Sequence, residues 1–323
     1  MKLVSYKLAT PLGELARIGA ITSLDKVLDL VSAHSLLLEA RGLTQAAARR
    51  ISAAIFPDTM VGYIEGGEVG LEAAQETLAW AQKGEGGEKA LFEPADLTML
   101  APVSRSPLIR DFLAFETHMT NIYPKLGREI PPEWYNLPVY YKGNPGSVAT
   151  HGDDIPIPAT VDELDIEFEI ALVIGKGGND IPRERAFEHV FGYMIFNDLT
   201  ERKIQAREMS VGLGPAKSKD FTKANIFGPY LVTADEIPDI YTLEMEARVN
   251  DTLWCKANLS SVHWRFEDII AYASQGEYLH PGEILGSGTV GDGSGAERDI
   301  YLKRGDVVEL RVEKMGTLRN RFV

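Results

Sequence analysis

The sequence predicts an α+β fold that is mainly β, because segments typical of strands outnumber segments typical of helices. Residues 164–175, LDIEFEIALVIG, alternate between polar and apolar side chains and then become continuously apolar. A second apolar run, HVFGYMIFND, leads directly into the charged helical segment LTERKIQAREM. In the remainder of the chain, short strand-like runs are separated by turns containing Gly and Pro, and RFEDIIAYASQ is the one helix expected there.

The first part of the chain is expected to form a small separate unit, residues 1–95. It contains two strand-like pieces, KLVSYKLA and LARIGAI, followed by helical segments in HSLLLEARGLTQAAARRISAAI and LEAAQETLAWAQK. The Gly- and Glu-rich stretch KGEGGEK and the prolines of LTMLAPVSRSP follow, and such punctuation is typical of domain boundaries. We therefore assign residues 96–323 to the main domain.

Composition restricts the class of partner. The 323 residues are 45% hydrophobic and can bury a large core, and 47 acidic against 33 basic side chains give a net charge of −14. No Lys- or Arg-rich run interrupts the acidic excess, so we expect small ligands or a metal rather than nucleic acid. The chain has no uninterrupted apolar run of membrane-spanning length, and we expect a cytoplasmic protein without membrane association.

The single cysteine, Cys255, lies in the strand-like stretch LWCKA. One cysteine can form neither an internal disulfide nor a cysteine-based zinc site, and it suits a reducing compartment. We expect Cys255 to be a small buried apolar residue rather than a nucleophile.

The segment LIRDFLAFETHMTNIY has helical spacing, and it contains an acid and a histidine that are candidate functional residues. Asp111 and His118 are seven positions apart, close to two helical turns, so a helix would present both on one face. Taken singly, Asp111 could equally be a surface charge and His118 a structural histidine.

Three carboxylates occupy one side of the strand predicted at residues 164–175. Successive side chains of a strand point to opposite faces, which places Asp165, Glu167 and Glu169 together, opposite the apolar residues. A solvated sheet face is one interpretation of this alternation. The alternative is a buried acidic site, to which Asp198, at the end of the next apolar run, would also belong unless it caps the following helix.

If Asp111, Glu167, Glu169 and Asp198 converge, their charges must be neutralised. Two ionised carboxylates 4 Å apart repel by roughly 4 kcal/mol at an effective dielectric constant near 20. A divalent cation removes this repulsion, and an all-carboxylate set suits a hard ion, Mg²⁺ before Mn²⁺ or Ca²⁺.

These residues, in this order, resemble the fumarylacetoacetate hydrolase family over about two thirds of the chain. The matching segments are RDFLAFETHMTN, NLPVYYKGNPGSV, LDIEFEIALVIG, FNDLTERKIQ, GLGPAKS, LHPGEILGSGTV and GDVVELRV. The resemblance implies a rolled or barrel-like, mainly antiparallel sheet, a small N-terminal domain and a homodimer. In the helix after Asp198 the chain departs from the family pattern, with Leu199, Glu201 and Lys203 at altered positions, so the shape of the substrate stays open.

The resemblance also implies roles for individual residues. The metal ligands would be Asp111, Glu167, Glu169 and Asp198, and His118 would be the base that activates water, with Glu297 as the glutamate that orients it. Lys217 would lie near the metal and the leaving group, with Lys219 as the neighbouring alternative. Contacts to the substrate would come from Tyr141, Arg202, Gln205 and Thr289.

Three functions remain open from the sequence. The leading expectation is a hydrolase that cleaves a carbon–carbon bond in a 1,3-diketone acid such as an acylpyruvate, with a cation that chelates the enolised diketone and His118 that takes a proton from water. The second is a decarboxylase, hydratase or isomerase of 2-oxo-dienoate acids from aromatic degradation at the same site. The third is a metal-stabilised structural or binding protein without turnover.

Overall fold

The structure is a computed structural model that describes residues 1–11, 13–84 and 86–323. The strands are β1 Lys2–Thr10, β2 Gly13–Ile21, β3 Val27–Asp29, β4 Leu91–Phe92, β5 Thr98–Leu100, β6 Ile109–Phe112, β7 Tyr140–Gly143, β8 Val148–Thr150, β9 Asp154–Ile155, β10 Leu164–Asp165, β11 Phe168–Ile174, β12 Val190–Asp198, β13 Thr200–Glu201, β14 Asn225–Thr233, β15 Glu244–Val249, β16 Thr252–Asn258, β17 Ile284–Gly286, β18 Val307–Val312 and β19 Gly316–Phe322. The α-helices are α1 Leu30–Ala40, α2 Gln45–Ile55, α3 Met60–Glu65, α4 Gly67–Gln82, α5 Glu116–Ile122, α6 Arg202–Val211 and α7 Phe266–Ala273.

Most strands join one large mixed sheet. Its main path runs β4-β3-β2-β1-β14-β12-β11-β17-β6-β7, and β5 and β8 pair with β1 and β14, giving a 12-stranded sheet within the described residues. A 5-stranded sheet, β16-β15-β18-β19-β9, packs against it through a shared apolar core that includes Ile170 and Leu172 of β11 and Leu310 and Val312 of β18. The predicted mainly β, α+β fold class is confirmed.

The N-terminal segment is continuous with the large sheet. Strand β1 pairs antiparallel with β14, with Lys2 opposite Val232 and Leu3 opposite Leu231. One apolar cluster contains Leu3 together with Phe196 of β12. The large sheet contains strands from both sides of the predicted boundary between residues 95 and 96. The division into 1–95 and 96–323 therefore stays a prediction about folding units. Glu85, within the expected linker KGEGGEK, lies outside the described residues.

The helical stretch after residue 34 forms two helices rather than one. Gly42 has a φ of +94°, a backbone conformation that ends α1 and that residues with a Cβ rarely adopt. Thr44 then begins α2, because its side-chain oxygen accepts a hydrogen bond from the N–H of Ala47.

The segment that contains Asp111 and His118 is not a single helix, so this expectation is wrong. Asp111 lies in β6, which pairs in parallel with β17 and antiparallel with β7, whereas His118 lies in α5. All four residues of β6 are buried between these two strands. Pairing with residues distant in sequence therefore outweighs the local helical spacing, and Asp111 and His118 do not share a helix face.

The acidic side of the strand at residues 164–175 is buried. Asp165, Glu167 and Glu169 are 0%, 6% and 0% exposed, which rules out the solvated-face interpretation. On the other side Phe168 and Ile170 enter the core shared with the 5-stranded sheet. This strand is thus covered on both faces, by apolar packing on one and by a polar cluster on the other.

Asp198 is the last residue of β12 and does not cap the following helix. The N-cap of α6 is Glu201, whose carboxylate accepts a hydrogen bond from the N–H of Ile204. Cys255 is a free, buried cysteine in β16, as predicted. Within the described part of the chain, no helix has the length and apolar character needed to cross a membrane.

Candidate active site

Four carboxylates meet on neighbouring strands of the large sheet. Asp111 lies in β6, Glu169 in β11 and Asp198 at the end of β12, and Glu167 lies in the short link between β10 and β11. One oxygen from each of the four lies within 4.8 Å of the others. All four residues are buried, at 6% exposure or less. The structure thus brings together the four residues predicted as metal ligands.

The sequence Asn-Asp at the end of β12 explains part of this convergence. The side-chain oxygen of Asn197 accepts a hydrogen bond of 3.1 Å from the N–H of Glu167, and the N–H of Asp198 donates to the carbonyl of Glu167 at 3.1 Å. These two bonds tie Glu167 to the end of β12. The carboxylate of Asp198 is therefore held beside that of Glu167.

The cluster contains carboxylate oxygens without hydrogen-bond partners. Oδ1 of Asp111, Oε1 of Glu169 and Oδ1 of Asp198 are buried and accept no hydrogen bond. Burial, followed by the neighbouring carboxylates, raises the pKa of Asp111 and of Glu169 well above the usual range. Buried carboxylates in this state are neutralised either by protons or by a cation.

The donor set fits a hard divalent cation. All of the oxygens are carboxylate oxygens, the ligands that Mg²⁺, Mn²⁺ and Ca²⁺ prefer. Gly286 of β17 leaves the space between two of them, since a Cβ there would overlap Oδ1 of Asp111 and lie 3.0 Å from Oε2 of Glu169. A cation bound here would take the place of the missing hydrogen-bond donors.

Lys219 supplies a positive charge inside the cluster. Its Nζ donates to Oε2 of Glu167 at 2.5 Å, to Thr200 Oγ1 at 2.8 Å and to Asp198 Oδ2. Burial raises the pKa of Glu167, but Lys219 and then Arg202 outweigh this effect and leave that pKa below its usual range. Lys219 and Arg202 therefore keep Glu167 ionised.

The predicted lysine, Lys217, does not enter the cluster. Its side chain is exposed, and its backbone N–H donates to Oε1 of Glu208 at 2.7 Å. Both lysines belong to one 3₁₀ turn, Lys217–Lys219, in which only the last side chain points towards the carboxylates. The structure thus places Lys219, the alternative considered from the sequence, in the cluster instead of Lys217. The spacing of the two lysines gives no indication of which one the turn directs inwards.

His118 and Glu297 form a buried pair beside the cluster. The Nδ1 of His118 lies 2.6 Å from Oε1 of Glu297, while Oε2 of Glu297 accepts hydrogen bonds of 2.6 Å from the side chain of Asn121 and from the N–H of Asp292. Burial raises the pKa of Glu297, but the hydrogen bond from His118 and the other donors leave it below the usual range. The structure brings this predicted pair together.

The four residues predicted to contact the substrate border the cluster. The Tyr141 hydroxyl donates to Oδ2 of Asp198 at 2.7 Å, and the guanidinium of Arg202 donates to Oε1 of Glu167 at 2.7 Å and to Oε1 of Gln205 at 3.0 Å. Thr289 is buried next to Gly288, whose N–H donates to Oε2 of Glu169 at 2.9 Å. Their roles towards a substrate stay predictions.

Sequence reasoning assigned no role to Asp165, which contacts both Arg202 and the segment that carries Glu297. The alternation of Asp165 with Glu167 and Glu169 was the available signal, since it places all three on one face. Sequence reasoning also gave Thr200, which accepts a hydrogen bond from Lys219, no role, and no local pattern marks it.

Comparison with known proteins decides the family. Residues 108–323 match the model of the fumarylacetoacetate (FAA) hydrolase C-terminal domain. The chain belongs to the fumarylacetoacetate hydrolase family. It is 29% identical over 309 residues to the oxaloacetate tautomerase YisK of Bacillus subtilis, covering 94% of this chain and 95% of that protein. It is 31% identical over 269 residues to the mitochondrial oxaloacetate tautomerase Fahd2a of Rattus norvegicus, covering 83% of this chain and 80% of that protein.

A solved structure shows the same fold. Maleylpyruvate hydrolase from Sphingobium sp. SYK-6, in complex with manganese(II) and pyruvate, superposes with a TM-score of 0.71 at 22% identity, over 100% of this chain and 99% of that one. The proteins that this chain resembles thus include two tautomerases by sequence and one hydrolase by fold. Membership of the family places the chain in a superfamily of enzymes but does not determine which reaction it catalyses.

Proposed function

We propose that this protein is a divalent-cation-dependent enzyme that transfers a proton on an enolisable 2-oxo dicarboxylic acid and so tautomerises oxaloacetate or a close analogue. The observation that carries the proposal is the buried His118–Glu297 pair beside the four-carboxylate cluster. The names of the two relatives that align over most of the chain support oxaloacetate as the first substrate to test.

The four clustered carboxylates would hold the cation, Mg²⁺ or Mn²⁺. When bound, the cation would supply Lewis-acid stabilisation of the negative charge that develops on the 2-oxo oxygen. The maleylpyruvate hydrolase of the same fold was solved in complex with manganese(II) and pyruvate, which supports testing a divalent cation and a 2-oxo acid as ligands of this protein.

His118 would be the proton carrier. With its Nδ1 donating to Glu297, the imidazole has Nε2 available as the base that would remove a proton from the carbon next to the ketone and pass it to the 2-oxo oxygen, which gives the enol; the reverse transfer would give the keto form. The carboxylate of Glu297 stabilises the imidazolium formed in between. Histidine suits this role because its ordinary pKa lies close to working pH.

The basic side chains would bind and orient the substrate. Lys219, between Glu167 and Asp198, places an ammonium group where an enolate oxygen would approach the cluster. Arg202 and Gln205 lie together at the start of α6 and would receive the distal carboxylate. Tyr141 would fix the orientation of Asp198 through its hydroxyl group.

The test is tautomerisation of oxaloacetate, followed by the ultraviolet absorbance of the enol, in wild-type protein and in His118→Asn. We expect the variant to lose about 10²- to 10⁴-fold in kcat, the usual contribution of a general base, while it still binds Mn²⁺. His280→Asn is the matched control, because His280 is exposed and lines a different cavity, and its activity should equal that of wild type. Wild-type-like turnover in His118→Asn would refute the role of the histidine.

Hydrolysis of a carbon–carbon bond in an acylpyruvate is the second candidate. The same histidine, oriented by Glu297, would take a proton from water that attacks the ketone, and the structural likeness to maleylpyruvate hydrolase supports this reaction. Mass spectrometry distinguishes the reactions, since hydrolysis gives two fragments, decarboxylation of a 2-oxo-dienoate releases carbon dioxide, and tautomerisation conserves mass. A screen of maleylpyruvate, fumarylpyruvate and 2-oxo-dienoates with Mg²⁺ or Mn²⁺ should therefore be run beside oxaloacetate.

We further propose that the enzyme is a cytoplasmic homodimer. The free, buried Cys255 supports a reducing compartment, and exposed apolar side chains near the end of α6, Val211 and Leu213 at 80% and 84% exposure, support an association surface. Sedimentation velocity gives the oligomeric state directly.

A further inference from the structure

Asp165 is a buried carboxylate that contacts two separate parts of the candidate active site. It ends β10, it is 0% exposed, and it lies opposite Thr200 of β13. Its Oδ1 accepts a hydrogen bond of 2.6 Å from the N–H of Gly295, and its Oδ2 accepts one of 2.9 Å from the N–H of Ala296. The same Oδ2 accepts a hydrogen bond of 2.8 Å from Nε of Arg202.

The first of these parts is the guanidinium that we propose as the anchor for the substrate carboxylate. Asp165 holds Arg202 through Nε, and Glu167 holds it through the other side of the guanidinium at 2.7 Å. Two carboxylates therefore fix the plane of the guanidinium. Loss of the contact to Asp165 would leave the guanidinium held from one side only.

The second part is the turn that leads to Glu297. Gly295 and Ala296 directly precede Glu297, and the Ser294 hydroxyl lies 3.3 Å from its Oε1. The turn packs closely on Asp165, since a Cβ on Gly295 would lie 2.7 Å from Oδ1 of Asp165. The position of Asp165 thus determines where the turn places Glu297, the partner of His118.

We infer, on the basis of the proposed function, that Asp165 is a positioning residue that fixes the Arg202 guanidinium and the Glu297 turn relative to each other. The distance between the substrate anchor and the base then depends on one carboxylate, which itself touches neither substrate nor cation. A carboxylate with only a structural role would change stability when replaced, whereas a shared positioning residue would change substrate affinity and proton transfer together.

The test compares Asp165→Asn with Asp162→Asn. The asparagine keeps one oxygen acceptor but loses the charge that holds Arg202, and we expect kcat to fall and KM to rise, each by about 10- to 100-fold, as is typical when a supporting hydrogen-bond partner is removed. Asp162 is the matched control, because its side chain is exposed and its Oδ2 lies 3.2 Å from Nζ of Lys203, the residue that follows Arg202 in α6. Asp162→Asn should retain the kinetics of wild type, and both variants should bind Mn²⁺ as wild type does.

A double-mutant cycle separates positioning from stability. Glu297→Gln alone should lower kcat, and adding Asp165→Asn should lower kcat little further if Asp165 acts through Glu297. If Asp165→Asn does not fold, the cycle is run between Arg202→Gln and Glu297→Gln, whose effects should be non-additive although the two side chains do not touch. Additive effects in the cycle, or wild-type kinetics in Asp165→Asn, would overturn the inference.

A spectroscopic readout keeps this result apart from the proposed function. In the metal-free protein, the Nδ1 proton of His118 in its hydrogen bond to Glu297 should give a downfield proton resonance, assigned by its loss in His118→Asn. In Asp165→Asn this resonance should shift upfield or exchange faster with water, and an unchanged resonance contradicts the positioning role. Absence of oxaloacetate turnover in wild type would refute the proposed function but would not bear on the positioning role of Asp165.

Discussion

Replacing Glu169 with Gln tests whether the carboxylate cluster lowers the stability of the metal-free protein and raises it when a cation is bound. Glu169 is 0% exposed and its Oε1 has no hydrogen-bond partner. Burial and the neighbouring Asp111 raise the pKa of Glu169, so the metal-free protein favours a proton there, and ionising two carboxylates at the 4.8 Å limit of the cluster would cost about 3.5 kcal/mol at an effective dielectric constant near 20. Because the amide has the same shape and no charge, we expect Glu169→Gln to leave the metal-free protein at least as stable as wild type.

Addition of the cation should reverse the order of stability. At a Mn²⁺ concentration 100 times its dissociation constant, wild type should gain about 2.7 kcal/mol in the free energy of unfolding. Glu169→Gln should gain little at the same concentration, since it lacks one of the four ligands. Guanidinium unfolding with and without Mn²⁺, followed by circular dichroism, measures both effects.

Glu283→Gln is the matched control for this experiment. Glu283 is also buried, at 2% exposure, but it pairs with Arg110 at 3.1 Å instead of facing other carboxylates. Removing one partner of a buried ion pair should cost about 3 kcal/mol with or without the cation, the lower end of the usual range, because Arg110 keeps its contact with Glu277. Equal destabilisation of the metal-free protein by both substitutions would refute the charge argument.

Two further substitutions test the surroundings of the cluster. Gly286→Ala places a Cβ against Oδ1 of Asp111 and 3.0 Å from Oε2 of Glu169. The substitution should weaken Mn²⁺ binding by at least about tenfold in an electron paramagnetic resonance titration. Binding with the affinity of wild type would contradict the close fit. Glu208→Gln removes the charge of a carboxylate that accepts hydrogen bonds from three successive N–H groups of the turn carrying Lys219. The variant should lower kcat by about tenfold while its far-ultraviolet circular dichroism spectrum stays unchanged. An unchanged kcat would mean that the turn positions Lys219 without the charge of Glu208.

The periodicity of strands made part of the site predictable. Alternation identified Glu167 and Glu169 as a pair on one face, and the end of the next apolar run identified Asp198. Asp111 was placed on the wrong type of element, because its separation of seven residues from His118 also suits a helix. What decides its conformation is pairing with β17, whose Gly286 lies opposite Asp111 in the sheet and comes far later in the chain. Such long-range pairing leaves no local signal.

The predicted domain boundary also rests on local composition and stays a prediction. After residue 83, Gly87 and Pro94 begin the short 3₁₀ helices Gly87–Ala90 and Pro94–Asp96, and such local signals do not show which strands pair. Strand β1 completes the large sheet beside β14, and this contact depends on residues more than 200 positions apart. Composition can therefore suggest where the chain turns, whereas the continuity of a sheet has to be observed.

The proposed metal ligands and the residues proposed to move the proton lie on different kinds of structural element. Three of the four proposed metal ligands lie in strands of one sheet, where pairing with neighbouring strands fixes each buried carboxylate, and Glu167 lies in the link that leads into β11. The residues proposed to move the proton and assist it lie on a short helix and on turns, namely α5 for His118, the turn before Glu297 and the 3₁₀ turn of Lys219. Turns vary more readily than paired strands. On the proposed roles, one cation site could serve either tautomerisation or hydrolysis, and we expect the substitutions that distinguish the two reactions to lie in these turns.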